Sequence, residues 1–513
     1  MPLYFALFLA NRLGYALKIN LPLSPKFRPL HSGRGFKTAS QVWAGKPWAK
    51  VGFRAKIFTS PPQSVLFAGL PAAALTAISL FQAEEAGKGG HIFPLFTPLP
   101  IYMDRFIGLL GIVLILGIAY ALSNNRKAIN YRTVGMGLLI QFLLAVFILK
   151  TPVGQVIFGW LGRAVTKVLG FSDEGAKFVF GVLADDAKLA PLFGNETFIF
   201  FVRIIPTIIF VACLVNIFYH FGIMQWIVEK LAKGLNYFMK VSGAEALSNI
   251  SSAFVGQVEA QIMIKPYLKG MTGSELMASM TGSFACIAGG VMATYIKFGV
   301  PAEYLIAASI MAAPGALAIS KIIYPETEEP ETQGTVRLKV GKEHSNLVDA
   351  ISAGCSDGLR VGLNVAAMLI GFLALIALIN YLLGSMGGLA GFPQLSLNTI
   401  LGGLFAGFAW AMGVPSAEIL TAGALMGTKL VANEFVAYLQ FKDVMDSLSP
   451  KAVVIISFAL CGFANFGSVG IQIGGISALE PDRRADLARL GFRALIAGTL
   501  ASYLSATLAG ILL

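Results

Sequence analysis

Apolar residues in this chain gather into runs that a soluble core helix has no use for. The clearest are Phe106 to Leu122, Val134 to Leu149, Phe198 to Phe218, Leu359 to Leu383 and Leu490 to Leu513. Roughly 20 apolar residues carry a helix across about 30 Å of hydrocarbon. Barrel strands would be shorter and would alternate, so the pattern predicts an all-α polytopic membrane protein. Gly154 to Gly170 differs from these runs: Arg163 and Lys167 break its apolar face, which predicts a helix lying along the membrane interface. The polar stretch Glu326 to His344, rich in Glu, Lys and Pro, divides the chain beyond residue 103 into two halves.

Each half contains apolar segments interrupted by Gly, Pro and polar residues. In the first, Ser251 to Glu259 (SSAFVGQVE) leads through Lys265-Pro266 to Gly282 to Gly290 (GSFACIAGG). In the second, Met412 to Ser416 (MGVPS) leads through Asn433-Glu434-Phe435 to Cys461 to Ser468 (CGFANFGS). Both are read as a re-entrant hairpin followed by a broken helix. Helix ends that stop inside hydrocarbon persist only where their N–H and C=O groups meet protein, a ligand or water. Two such breaks in corresponding places point to a midplane solute site between repeats, with Gly289, Gly290, Gly462 and Gly467 permitting unwound backbone.

Composition agrees with a membrane protein: 56% of residues are hydrophobic and 13% charged, against about 25% charged in soluble domains. The net charge of +12 suggests a nucleic-acid binder only until it is mapped. Residues 1–102 hold 11 Lys and Arg against 2 Asp and Glu, so that stretch carries +9 and the remainder +3. No nucleic-acid partner is therefore expected. The stretch reads as a basic leader or extension, with Val65 to Ala83 as a signal-type segment or extra helix, and the transporter is expected to start near Met103. The basic loop with Arg126, Lys127 and Arg132, and the Asp482, Arg483, Arg484, Arg489 turn before the last run, are placed inside by the positive-inside rule. Both termini of the core would then lie outside. Cys213, Cys286, Cys355 and Cys461 are widely spaced, with no CxxC pair, and read as small buried hydrophobes.

Several motifs, in order along the chain, resemble the concentrative nucleoside transporter family. They are Leu-Ala-Pro-Leu-Phe-Gly-Asn-Glu at 189–196, Ile-Ile-Pro-Thr-Ile-Ile-Phe at 204–210, Gly-Gln-Val-Glu-Ala at 256–260, Asn-Glu-Phe-Val-Ala-Tyr at 433–438 and Phe-Ala-Leu-Cys-Gly-Phe-Ala-Asn-Phe-Gly-Ser at 458–468. The resemblance, over about 400 residues, implies eight transmembrane helices, two re-entrant hairpins, a homotrimer in a cell membrane (the inner membrane of a bacterium) and cation-driven nucleoside uptake by an elevator-like movement. It divides the chain into an extension (1–102), N-terminal scaffold and interfacial helices (103–240), a first transport half (241–325), a polar loop and long scaffold helix (326–397) and a second transport half (398–513). By the same resemblance Gln257 and Glu259 hold the base by hydrogen bonds, with Val258 and Val291 beside them. Glu434 accepts from ribose hydroxyls, Asn465 and Ser468 add polar contacts and Phe463 forms an apolar wall. That division suits the chemistry, since hydroxyl donors match a carboxylate and a base's mixed edge matches an amide.

The chain departs from the family most at the implied sodium site. Ser252 stands in place of an Asn and Cys286 in place of a hydroxyl, with Val255 and Ile287 offering only backbone carbonyls. A thiol suits a hard cation poorly. Val258 also replaces a Thr, and Gln261 a Pro. Sodium is the favoured coupling ion, protons on Glu259 or Glu434 the alternative, and no other cofactor is expected. A Mg-dependent enzyme using Asp185-Asp186 on a lipid diphosphate lacks a second acidic cluster, and a passive channel has no need of two broken helices.

Overall fold

In the computed structural model, helix boundaries follow capping chemistry written in the sequence. The structure describes residues 104–193, 198–334, 344–389, 391–392 and 394–513. The expectations for the basic extension, and for most of the polar loop after Gly334, lie outside the described residues. Helix α1 is Asp104–Ala121. Asn130 caps α2 (Tyr131–Lys150) through Oδ1, and Thr151 followed by Pro152 starts α3 (Pro152–Gly170). Then come α4 (Ser172–Phe180), α5 (Ile205–His220) and α6 (Ile223–Met239).

The first half begins at α7 (Gly243–Ser252), turns over Ala253 to Val258 and returns through the short α8 (Glu259–Ile262). It continues as α9 (Gly273–Ala285), breaks at Cys286 to Ala288, resumes as α10 (Gly289–Lys297) and closes with α11 (Ala302–Ile323). Two capping boxes, Ser242 with Glu245 and Thr272 with Glu275, anchor α7 and α9. Lys321 joins them: Nζ lies 2.7 Å from Glu245 Oε2 and donates to Ser274 Oγ at 2.9 Å. Because all these groups are buried, removing one partner would strand the others, which makes this cluster the fixed base of the half.

The run Leu359 to Leu383 is the middle of a longer helix, α12 (Leu347–Leu389), 43 residues long. Its polar N-terminal turns, with Ser352, Ser356, Asp357 and Arg360, hide that length from an apolar-run reading. It packs along α5 and otherwise leaves apolar side chains such as Ile370, Leu375 and Leu378 exposed. The second half repeats the order of the first: α13 (Leu397–Ala411), α14 (Ile419–Val431), α15 (Glu434–Val444), then α16 (Pro450–Leu460), a break, α17 (Phe466–Leu479) and α18 (Arg484–Leu512).

Among the described residues, six stretches are long and apolar enough to cross a membrane, Tyr131–Lys150, Phe200–His220, Gly273–Lys297, Ala302–Ile323, Leu347–Leu389 and Pro481–Leu512. Shorter apolar helices include Ile107–Ala121 and the pair Pro450–Leu460 and Phe466–Leu479. The last of the six is not a peripheral span. Its apolar window is 83% buried, against 11% for α12. Ala, Gly, Ser and Thr along Ala494 to Gly510 let α9, α11 and α16 approach α18 closely. It is the central post of the molecule.

Candidate functional site

The two broken helices cross at their breaks. Phe463 N–H donates to Cys286 C=O at 3.2 Å, tying one break to the other. Gly462 has φ +131°, and a Cβ there would lie 2.7 Å from Phe284 O and 2.8 Å from Ala285 O, so only glycine fits this crossing. Beneath it the Ser502 hydroxyl of α18 lies 3.0 Å from Cys461 O and 3.1 Å from Gly498 O. Nothing in the sequence marks Ser502; its role comes from where the post passes the breaks.

On one side of the crossing lies a cavity of about 140 Å³, large enough to admit part of a small solute. Its polar end consists of Gln257, Asn433, Glu434, Asn465 and Ser468, and its walls include Val291, Phe463 and Ile471. Val365, Met368, Leu369 and Phe372 of α12 close the apolar side. Sequence reasoning missed those four, since one face of a long apolar run carries no distinguishing signal.

Glu434 is 5% exposed and held from two sides. Asn465 Nδ2 donates to Oε2 at 2.9 Å, and Tyr295 Oη donates to Oε1 at 3.3 Å. Tyr295 is itself fixed by stacking on Tyr438, with ring centroids 4.0 Å apart. Lys429, also buried, donates through Nζ to Ala459 C=O at 2.8 Å. Asn465 also caps α17 through Oδ1, accepting from Ser468 N–H at 2.8 Å, and Asn433 caps α15 the same way from Val436 N–H. One amide side chain therefore both ends a helix and orients the carboxylate.

Six of the eight residues assigned to substrate from the resemblance, Gln257, Val291, Glu434, Phe463, Asn465 and Ser468, meet at this cavity. Val258 and Glu259 do not line it. Val258 packs on Gly475 of α17, and the exposed Glu259 curls its carboxylate over Gly256.

At the four positions implied for sodium, the polar side chains already have protein partners. The Ser252 hydroxyl donates to Ser248 C=O at 2.8 Å and pairs with Ser283 Oγ at 3.0 Å. It belongs to a buried network in which Gln261 Nε2 donates to Ser283 Oγ at 2.9 Å and Gln261 Oε1 accepts from Ser279 Oγ at 2.6 Å. The Cys286 thiol points to Ser309 C=O at 3.8 Å. Val255 and Ile287 bring no side-chain oxygen. In this arrangement the set offers one side-chain oxygen, already hydrogen-bonded, and a thiol that suits a sodium ion poorly, beside the two backbone carbonyls.

Asp185, one of the acidic pair weighed as a metal chelator, forms an ion pair with Lys188 at 3.3 Å.

A multi-pass helical protein in which two broken helices cross beside a polar-ended cavity is built as a solute transporter, not as an enzyme. The comparisons with known proteins sharpen that class. Residues 110–183 match the model of the Na+ dependent nucleoside transporter N-terminus, 201–302 a nucleoside recognition (gate) model and 304–510 the Na+ dependent nucleoside transporter C-terminus. An uncharacterized transporter of Haemophilus influenzae is 45% identical over 415 residues, covering 80% of this chain and 98% of that one. The putative nucleoside permease NupX of Escherichia coli is 40% identical over 411 residues, with 80% and 99% covered. Mouse sodium/nucleoside cotransporter 1 is 38% identical over 426 residues, 80% of this chain and 64% of that one. The solved structure of CNTnw in an inward-facing substrate-bound state superposes with TM-score 0.76 at 41% identity, over 80% of this chain and 98% of that one. The chain belongs to the concentrative nucleoside transporter family.

Proposed function

We propose that the protein is a cation-coupled symporter that imports nucleosides across a cell membrane, the inner membrane of a bacterium, as a homotrimer working by an elevator-type movement. The observation that carries the reading is the meeting of Glu434, Asn465, Ser468 and Gln257 at one cavity where two helix breaks cross. Glu434, with two protein donors already aligned on it, accepts from ribose hydroxyls. Asn465 and Ser468 complete the sugar side, Phe463 covers the ring face, and Gln257 and Val291 meet the base. Val258 and Glu259 belong to the substrate side in this reading through their place at the turn of the first half, next to Gln257.

Counting α1 and the α16/α17 pair with the six long stretches gives the eight crossings of the family's architecture. The turns between α7 and α8 and between α14 and α15 are then the tips of the re-entrant hairpins. With the Arg126 loop and the Arg483–Arg484 turn inside, both ends of the core face outward.

Sodium is the first reading for the coupling ion, supported by the family's description. A proton is the second, favoured by the bonded Ser252 hydroxyl and the Cys286 thiol where oxygen ligands are expected. Uptake of labelled uridine and adenosine into proteoliposomes, first under a sodium gradient and then under a proton gradient, tests both. Uptake under either gradient is the expected result, and none under both removes the symporter reading.

A further inference from the structure

Beside the cavity stands Gln472 of α17, fully buried and absent from every expectation drawn from the sequence. Its Nε2 lies 3.4 Å from the backbone carbonyl of Met280 and 3.4 Å from Gln257 Oε1. Its own Oε1 has no hydrogen-bond partner. Which way this amide faces is decided by the one group among these that cannot change role. A backbone carbonyl only accepts. Turning the amide over would set Oε1 against Met280 O, two acceptors face to face, which costs more than leaving one acceptor unpaired, whichever way Gln257 turns in answer.

The orientation then passes along the chain of bonds. With Gln472 donating, Gln257 must present Oε1 to Gln472 and turn Nε2 the other way, and its Nε2 does lie 3.4 Å from Ser468 Oγ on the cavity wall. The second Nε2 hydrogen is left for a ligand. Val258, packed on Gly475 next to Gln257, adds no hydroxyl that could supply an acceptor instead.

We infer that Gln472 is a specificity-determining residue, which by fixing the Gln257 amide as a donor makes the base side of the cavity select bases with a carbonyl there over bases with an amino group. At C4 of a pyrimidine or C6 of a purine, uracil and hypoxanthine carry such a carbonyl acceptor, whereas cytosine and adenine carry an exocyclic amine whose hydrogens would face the Gln257 hydrogens. The selection concerns keto against amino substitution and cuts across the purine and pyrimidine classes. It rests on the nucleoside reading above.

The test is competition against labelled uridine uptake in proteoliposomes by unlabelled uridine, inosine, cytidine and adenosine. The wild-type protein should bind uridine and inosine about tenfold more tightly than cytidine and adenosine, the value of roughly one well-made hydrogen bond against a mispaired one. Gln472→Leu frees Gln257 to turn and should bring the four within about twofold. Gln472→Glu has at most one hydrogen, which the Met280 carbonyl takes, so it faces Gln257 with an acceptor only, and Gln257 should donate to it and turn Oε1 to the cavity, reversing the preference. The ratio of uridine to 2′-deoxyuridine, read on the sugar side, should stay put in both variants. A merely structural Gln472 would alter all ratios or none, and either result overturns the inference. Equal affinities for all four in the wild type overturn it without any variant, leaving the nucleoside reading intact. No uptake of any nucleoside removes that reading and this inference with it.

Discussion

The two halves share an order of elements but end their helices differently. In the second half the residues that start α15 and α17 are Asn433 and Asn465, and each closes its helix with a side-chain oxygen. In the first half the corresponding residues before α8 and α10 are Val258 and Ala288, and neither side chain caps. An amide cap is worth about 1 kcal/mol and holds the side chain in one place. The second half therefore presents a preorganised polar end, with Glu434 gripped by Asn465 from its own half and by Tyr295 from α10 of the first. Most of the first half's polar groups instead satisfy one another, in the buried network of Ser248, Ser252, Ser279, Ser283 and Gln261. A fixed end suits the ribose, which is common to all ribonucleosides. The end whose helix starts are uncapped meets the part of the substrate that varies.

The strongest way to break this comparison is Glu434→Gln. An amide keeps the shape but loses the charged acceptor, and hydrogen bonds to charged groups are worth about 1.5–3 kcal/mol each. Uptake of ribonucleosides should fall by roughly 100-fold, corresponding to about 2.7 kcal/mol, while the protein still elutes as the wild-type assembly on size exclusion. Uptake within a fewfold of wild type would take Glu434 out of the site.

Asn465→Ala comes next, because it removes a cap and a carboxylate partner together. Thermal unfolding in detergent should report a loss of about 1–2 kcal/mol for the cap, and uptake should fall about 30-fold as Glu434 loses its Nδ2 donor. The matching change in the first half, Ala288→Gly, removes no cap and should leave both measurements nearly unchanged. Equal losses in the two halves would show that capping is not what separates them.

Glu434 and Asn465 stood out in the sequence because a charge or an amide inside an apolar run is costly, whereas Phe463 and Ser468 were reached only through the family resemblance. Gln257 was legible for the same reason as Glu434 and Asn465. Tyr295 was not, since a tyrosine in a helix reads as packing until its hydroxyl is seen 3.3 Å from Glu434. Asn433 was seen as part of a motif, but its capping geometry needed the helix start. The four α12 side chains that wall the cavity were invisible because their chemistry equals that of their lipid-exposed neighbours. The apolar run Leu359 to Leu383 marks only the middle of that helix, because its first turns from Leu347 carry Asp349, Ser352, Ser356 and Asp357; the long helix expected after the polar loop covers them. Ser252 was singled out only as a position implied for sodium, and Ser283 only as part of a broken-helix motif. Only the fold brings them to Gln261, which stands where the resemblance leads one to expect a proline.

Tyr295→Phe sharpens the comparison on a finer scale. It deletes one donor to Glu434 Oε1 and keeps the ring that stacks on Tyr438. A single neutral donor is worth about 1 kcal/mol, so KM for uridine should rise about fivefold with the maximal rate little changed. An unchanged KM would mean that Asn465 alone orients the carboxylate.

The smallest expected effect asks whether the first half can be given what it lacks. Cys286→Ser replaces a thiol, 3.8 Å from Ser309 C=O, by a hydroxyl of nearly the same shape. Oxygen suits sodium and sulfur does not. If sodium drives uptake through this break, the substitution should lower the sodium concentration for half-maximal uptake about threefold, less than one hydrogen bond's worth, because the new hydroxyl also bonds Ser309. The ribose-side ratio of uridine to 2′-deoxyuridine should not move, since the second half is untouched. A sodium response identical to wild type, with uptake retained, would assign sodium coupling to another place in the fold, and no sodium response in either protein would assign coupling to a proton.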